Sequence, residues 1–132
     1  MADTKQPRLT QLDTHVVIWL FEGASDQFSA LARKTVEAGQ CQISPMVRLE
    51  LQYMFEIGRN KLDAQAVLNG LRDEVEIIEA TTDFSRVIAA ALSLNWTRDP
   101  FDRLIVAQAI NDNAVLITKD RTIRLHCANA LW

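Results

Sequence analysis

Residues 98–121 read Arg98-Asp99-Pro100-Phe101-Asp102-Arg103-Leu104-Ile105-Val106-Ala107-Gln108-Ala109-Ile110-Asn111-Asp112-Asn113-Ala114-Val115-Leu116-Ile117-Thr118-Lys119-Asp120-Arg121, and this stretch decides the fold class. Asp99-Pro100 is a helix start. The aspartate accepts from free N–H groups of the first turn, and proline there gives up an N–H that had no partner. The spacing predicts a helix to about Asn111. Ala114 to Ile117 is then unbroken apolar, as a parallel strand buried on both faces should be. Arg121 to Leu125 reads as a short helix. A buried parallel strand between helices needs crossover connections, so the chain is expected to be α/β.

The same alternation continues outward. Leu9 to Leu12 predicts an extended segment, Thr14 to Leu20 a helix, and Ser29 to Ala38 an amphipathic helix stopped by Gly39. Cys41 to Ile43 reads as a short strand. Ser44-Pro45 opens a long helix to about Ile57, which Gly58 ends. Helices are further predicted over Asp63 to Leu71 and Asp83 to Leu92, and strands over Val75 to Glu79 and Ala130 to Trp132. No repeat or low-complexity stretch divides the chain. Residues 9–132 are therefore expected to form one domain after a flexible tail at 1–8, as an α/β sandwich around a mostly parallel sheet.

The 132 residues are 48% hydrophobic and 23% charged, enough for one soluble core without disulfide or metal staples. Cys41 and Cys127 form no CxxC and suit a reducing cytosol. Residues 1–8 lack the apolar core of a signal peptide, and runs such as Val16 to Phe21 fall far below the ~18 residues of a membrane span. A cytoplasmic location is expected. The net charge of −3 argues against nonspecific coating of nucleic acid but leaves local basic patches open.

In open parallel sheets, ligands bind beyond the carboxyl ends of strands. Asp13 follows the first strand and Asp120 the fourth, each just before a helix, where an aspartate also serves as an N-cap. Two further acids face inward. Glu50 lies off the polar stripe Arg48, Gln52, Glu56 and Arg59, and shares its face with Met46, Val47, Met54 and Ile57. A carboxylate there is costly unless a cation or hydrogen bonds compensate it, and a buried ion pair with an arginine is the alternative. Asp102 aligns with Ile105, Val106 and Ala109, the core-facing side. Asp99 aligns instead with Arg103, as an exposed pair that also caps the helix.

Asp13, Glu50, Asp102 and Asp120 can thus converge at one sheet edge. Two carboxylates about 4 Å apart repel by roughly 4 kcal/mol at an effective dielectric near 20, so four need protons or a divalent cation. An all-oxygen set suits Mg²⁺ or Mn²⁺ rather than zinc. His15 and His126 show no ligand spacing. Thr118, two residues before Asp120, lies on the same side of its strand, where a hydroxyl can orient a carboxylate or simply pack.

These residues resemble the PIN domain family, and within it the VapC-type ribonuclease toxins of bacterial toxin-antitoxin pairs. The likeness runs from Leu9 to Trp132. It is carried by Leu12-Asp13-Thr14-His15, by Ser44-Pro45 leading to Glu50, by Arg98 to Ala107, and by Thr118-Lys119-Asp120-Arg121. The resemblance implies a three-layer fold and Mg²⁺- or Mn²⁺-dependent RNA cleavage. It also implies a homodimer and a cognate antitoxin. It assigns the family's acids to Asp13, Glu50, Asp102 and Asp120, with Thr118 as the supporting hydroxyl. His15 departs from the small residue common at that position.

The leading expectation is a metal-dependent endoribonuclease cleaving phosphodiester bonds with a metal-activated water. Asp13, Asp102 and Asp120 would be metal ligands, and Glu50 a further ligand or general base. Single-stranded RNA or a structured loop is the expected substrate, with Arg48, Arg103, Lys119, Arg121 and Arg124 supplying attraction. The alternative is a catalytically silent PIN-like binding module whose acids pair with a partner's arginines. A receiver-like phosphorylation switch fits poorly because Glu50 sits within a helix. Dinucleotide binding is disfavoured because no glycine-rich turn follows a strand.

Overall fold

Strands and helices alternate throughout the computed structural model, which describes residues 9–132; the tail expected at 1–8 lies outside them. In chain order the elements are β1 (Leu9–Leu12), α1 (Thr14–Glu22), α2 (Ala30–Ala38), β2 (Gln40–Ile43), α3 (Pro45–Glu56) and α4 (Ala64–Leu71). There follow β3 (Ile77–Glu79), α5 (Phe84–Ala91), α6 (Pro100–Asn111), β4 (Val115–Ile117), α7 (Arg121–His126) and β5 (Ala130–Leu131). A 3₁₀ turn at Ser25–Gln27 links α1 to α2.

The sheet order is β3-β2-β1-β4-β5, and every strand pair is parallel. Successive strand residues point to opposite faces, yet Thr10, Gln11 and Leu12 of β1 and all of β4 are buried. Helices therefore cover both faces, giving three layers. Thr10 pairs with Val115 and Leu12 with Ile117, so β1 and β4 end level with each other. From β1 the chain runs outward to β2 and β3, and then returns to place β4 on its other side. The crevice beyond β1 and β4 is thus the switch point where such sheets bind ligands.

Local chemistry sets the helix starts as the sequence suggests. Side chains of Asp13, Ser29, Ser44, Asp63, Asp83, Asp99 and Asp120 each accept a first-turn N–H. Several boundaries differ from expectation. β3 begins at Ile77 rather than Val75, because the Val75 N–H bonds to Leu71 O at 2.9 Å and prolongs the turn after α4. β5 stops at Leu131, leaving Trp132 to an aromatic cluster. Ile57 lies past the end of α3, where helical periodicity no longer applies, and it is exposed rather than sharing the buried face of Val47 and Met54. No helix among the described residues is long and apolar enough to cross a membrane.

Candidate active site

Asp13 is the first residue after β1, and its own N–H still bonds to Ile117 O on β4 at 3.0 Å. Its buried carboxylate has both oxygens engaged. Oδ1 accepts from the Thr14 N–H at 2.7 Å, and Oδ2 accepts from the Thr118 hydroxyl at 2.7 Å. Burial pushes its pKa up, while the Thr118 and Thr14 hydrogen bonds and the nearby His15 pull it back. The Thr118 hydroxyl oxygen in turn accepts from the Asp120 N–H at 3.1 Å. One threonine thereby fixes Asp13 and the turn that carries Asp120. Asp120 itself is exposed and caps α7 through Ile123 N at 2.9 Å.

Glu50 is half-buried on α3, and its compensating partner is a hydroxyl rather than an arginine: Thr14 Oγ1 donates to Glu50 Oε1. Burial raises its pKa first; Thr14 opposes that, and Asp13 and Asp99 add to it. The alternative of an ion pair with arginine is not realised. The salt bridge among the described residues joins Arg48 to Glu79 at 2.6 Å.

Asp102 lies on the inward side of α6, above the buried Ile105, Val106 and Ala109. Burial, followed by repulsion from Asp13, Asp99, Glu50 and Asp120, pushes its carboxyl up to about 7. The structure therefore gathers the acids of β1, α3, α6 and the β4–α7 turn into one electrostatic group. Asp99 caps α6 through Phe101 N at 2.8 Å and Asp102 N at 3.3 Å. The expected Asp99–Arg103 pair is not formed. Arg103 instead donates to Ala91 O at 2.8 Å and Leu92 O at 3.1 Å, tying α6 to α5.

The PIN domain family matches residues 11–127. The chain belongs to that family. It is 33% identical over 118 residues to Ribonuclease VapC22 of Mycobacterium tuberculosis, covering 87% of this chain and 89% of that protein. Its fold is shared with VapBC2 from Rickettsia felis bound to a promoter DNA fragment, at a TM-score of 0.65 and 21% identity over 93% of this chain and 96% of that one. A toxin-antitoxin complex from Klebsiella pneumoniae matches at a TM-score of 0.61 and 19% identity, again over 93% and 96%.

Two members of this PIN domain's acid group escaped the sequence reading. Thr14 reaches Glu50 as a second hydroxyl, and nothing in its position after Asp13 distinguishes it from an ordinary first helical residue. Asp99 adds a fifth carboxylate close enough to raise Glu50 and Asp102. Its position carries no such signal, because a helix cap four residues before an arginine already accounts for an aspartate there.

Among the described residues, no three His, Cys, Asp or Glu side chains form a ready-made metal cage. The donor set of carboxylate oxygens nevertheless fits Mg²⁺ or Mn²⁺, which are held by one or two carboxylates together with waters and substrate phosphate. His15 and His126 are exposed, and Cys41 and Cys127 are buried free thiols. A groove of about 660 Å³ lies elsewhere, lined by Trp19, Leu20, Phe28, Val36, Cys41 and Val75 among others, and none of the acids borders it.

Proposed function

We propose that this PIN domain is a metal-dependent endoribonuclease acting as the toxin of a toxin-antitoxin pair. The observation that carries the reading is the gathering of Asp13, Glu50, Asp99, Asp102 and Asp120 at one sheet edge, where burial first and mutual repulsion second push Asp102 up to about 7 and call for a countercharge. The relative named Ribonuclease VapC22 supports it. Asp13, Asp102 and Asp120 hold the metal, with Thr118 fixing the Asp13 carboxylate and the Asp120 turn. Bound there, Mg²⁺ or Mn²⁺ supplies positive charge for a phosphate and lowers the pKa of a water. Glu50, steadied by Thr14, is placed to accept a proton or to complete the ligand set.

The substrate we propose is single-stranded RNA, whose backbone can enter a narrow cleft. Of the cations expected to attract it, Arg48 and Arg103 are committed to Glu79 and α5, whereas Lys119 and Arg121 are exposed beside Asp120. Arg124 braces that turn by donating to Lys119 O at 3.2 Å. The proposed antitoxin inserts an arginine between the carboxylates and takes its apolar grip on α1, whose Trp19 and Leu20 border the groove. Exposed Leu49 and Tyr53 on α3 are the proposed homodimer contact, in a cytoplasmic, single-domain protein.

The deciding experiment is cleavage mapping on total RNA with purified protein, with and without Mg²⁺ or Mn²⁺. Metal-dependent cuts that vanish in Asp102→Asn support the proposal. No cleavage under any metal, with a melting temperature unmoved by millimolar Mn²⁺, leaves the silent binding module instead.

A further inference from the structure

Three aromatic residues from separate segments meet beneath Lys119, the chain neighbour of Asp120, and two of them, Trp19 and Phe28, line the groove described above. Trp19 of α1 and Trp132 after β5 lie edge to face with centroids 5.6 Å apart, and Phe28 stands 5.2 Å from Trp132 and 6.4 Å from Trp19. All three are half-buried, so each keeps part of its ring in solvent. The exposed Lys119 lays its ammonium over both indoles, 5.6 Å from Trp19 and 6.0 Å from Trp132, with Gln27 Oε1 at 3.3 Å.

Core packing accounts for the contact of these rings with one another. It does not account for an exposed cation, rather than an apolar side chain, covering their faces. The position ties the cluster to the acids at two points. Lys119 sits in the chain between Thr118 and Asp120, and His15, two residues after Asp13, stacks at a tilt 6.0 Å from Trp19. Half-exposed π faces and an exposed ammonium adjoining Asp120 in the chain are the parts with which proteins bind single strands: rings stack bases and cations pair phosphates.

Resting on the ribonuclease reading above, we infer that Trp19, Trp132 and Lys119 form an outlying nucleotide subsite for the strand being cut, reached from the acids by way of the Thr118–Asp120 turn and His15. The ammonium leaves the indoles to pair with the neighbouring phosphate, and a base takes its place on the rings. Stacking is tolerant of sequence because every base has a π face, so this subsite strengthens binding without selecting a base.

The test compares binding of labelled oligoadenosine with that of an abasic ribose-phosphate chain of equal length. It is done in the Asp102→Asn background, which lowers the cluster's charge and suppresses turnover. The parent should prefer the oligoadenosine by about tenfold. Trp132→Ala should bind the two equally, Trp132→Phe should recover part of the preference, and Lys119→Gln should weaken both alike with a shallower salt dependence. Equal binding of both chains by the parent, binding of neither, or a preference that survives Trp132→Ala overturns the subsite. Cleavage by the unmutated chain is scored separately, so loss of nuclease activity and loss of the stacking preference are told apart.

Discussion

At the scale of residues, Thr118 makes the most consequential contacts, since a single oxygen donates to Asp13 and accepts from Asp120. Thr118→Val keeps the shape and removes both bonds, leaving a buried carboxylate oxygen unpaired. Denaturant unfolding should show a loss of about 1–3 kcal/mol. Asp102→Asn should lower cleavage by about a hundredfold or more, because it removes charge that only a metal site requires. Asp99→Asn should behave differently: an asparagine still caps α6, and losing the repulsion of Asp99 lets Asp102 ionise more easily. Cleavage should stay within about threefold of the parent, and the acid limb of its pH profile should move to lower pH. Equal loss of rate in the two variants would contradict the separate roles. The inward position of Asp102 was legible because periodicity distinguishes faces. The proximity of Asp99 was not, because its cap and an available Arg103 already explained it.

At the scale of elements, the sequence revealed starts better than ends. Ser44-Pro45 and Asp99-Pro100 announce helices through local hydrogen bonding, whereas β3 loses its first expected residues to a turn whose bond to Leu71 depends on tertiary placement. Polar bonding within the sheet was equally hidden. Gln11 of β1 donates to Asp112 Oδ2 at 2.9 Å and to Gln42 at 3.2 Å, and burial of Asp112 is outweighed by bonds from Thr82, Gln108, Asn111 and Gln11 that hold its pKa down. Helix packing gives a prediction that runs against intrinsic preference. Glycine within α4 costs about 1 kcal/mol relative to alanine, so Gly70→Ala looks stabilising. A Cβ at Gly70, however, would stand 2.4 Å from the Phe21 ring of α1. Gly70→Ala should therefore destabilise by about 1–3 kcal/mol, and should become neutral or favourable when Phe21 is also replaced by leucine. Melting curves of the single and double variants check this.

For the whole molecule, burial and crowding of the acids couple stability to pH and metal. The folded pKa of Asp102, about 7, stands above its unfolded value of 3.8. Its contribution is therefore fully present below pH 3.8, and is lost as pH rises through about 7. Without divalent metal, the protein should lose about 1–2 kcal/mol between pH 5 and pH 8, a figure reduced for the partial solvent exposure of Asp102. Millimolar Mn²⁺ should raise the melting temperature more at pH 8 than at pH 5, since the cation competes with a proton for the carboxylate. A Mn²⁺ effect independent of pH would detach Asp102 from the metal. The hydrogen bond between Asp13 and Thr118 also bears on how the chain is made. It joins residues 105 positions apart, so the nascent chain cannot assemble the site until β4 has emerged and docked beside β1. Asp13, Glu50, Asp99 and Asp102 are all made earlier, but they lack the threonine and Asp120 that complete them. Synthesis of everything before β4 thus leaves the acid cluster unassembled, and it closes only when β4 and the turn after it have been made.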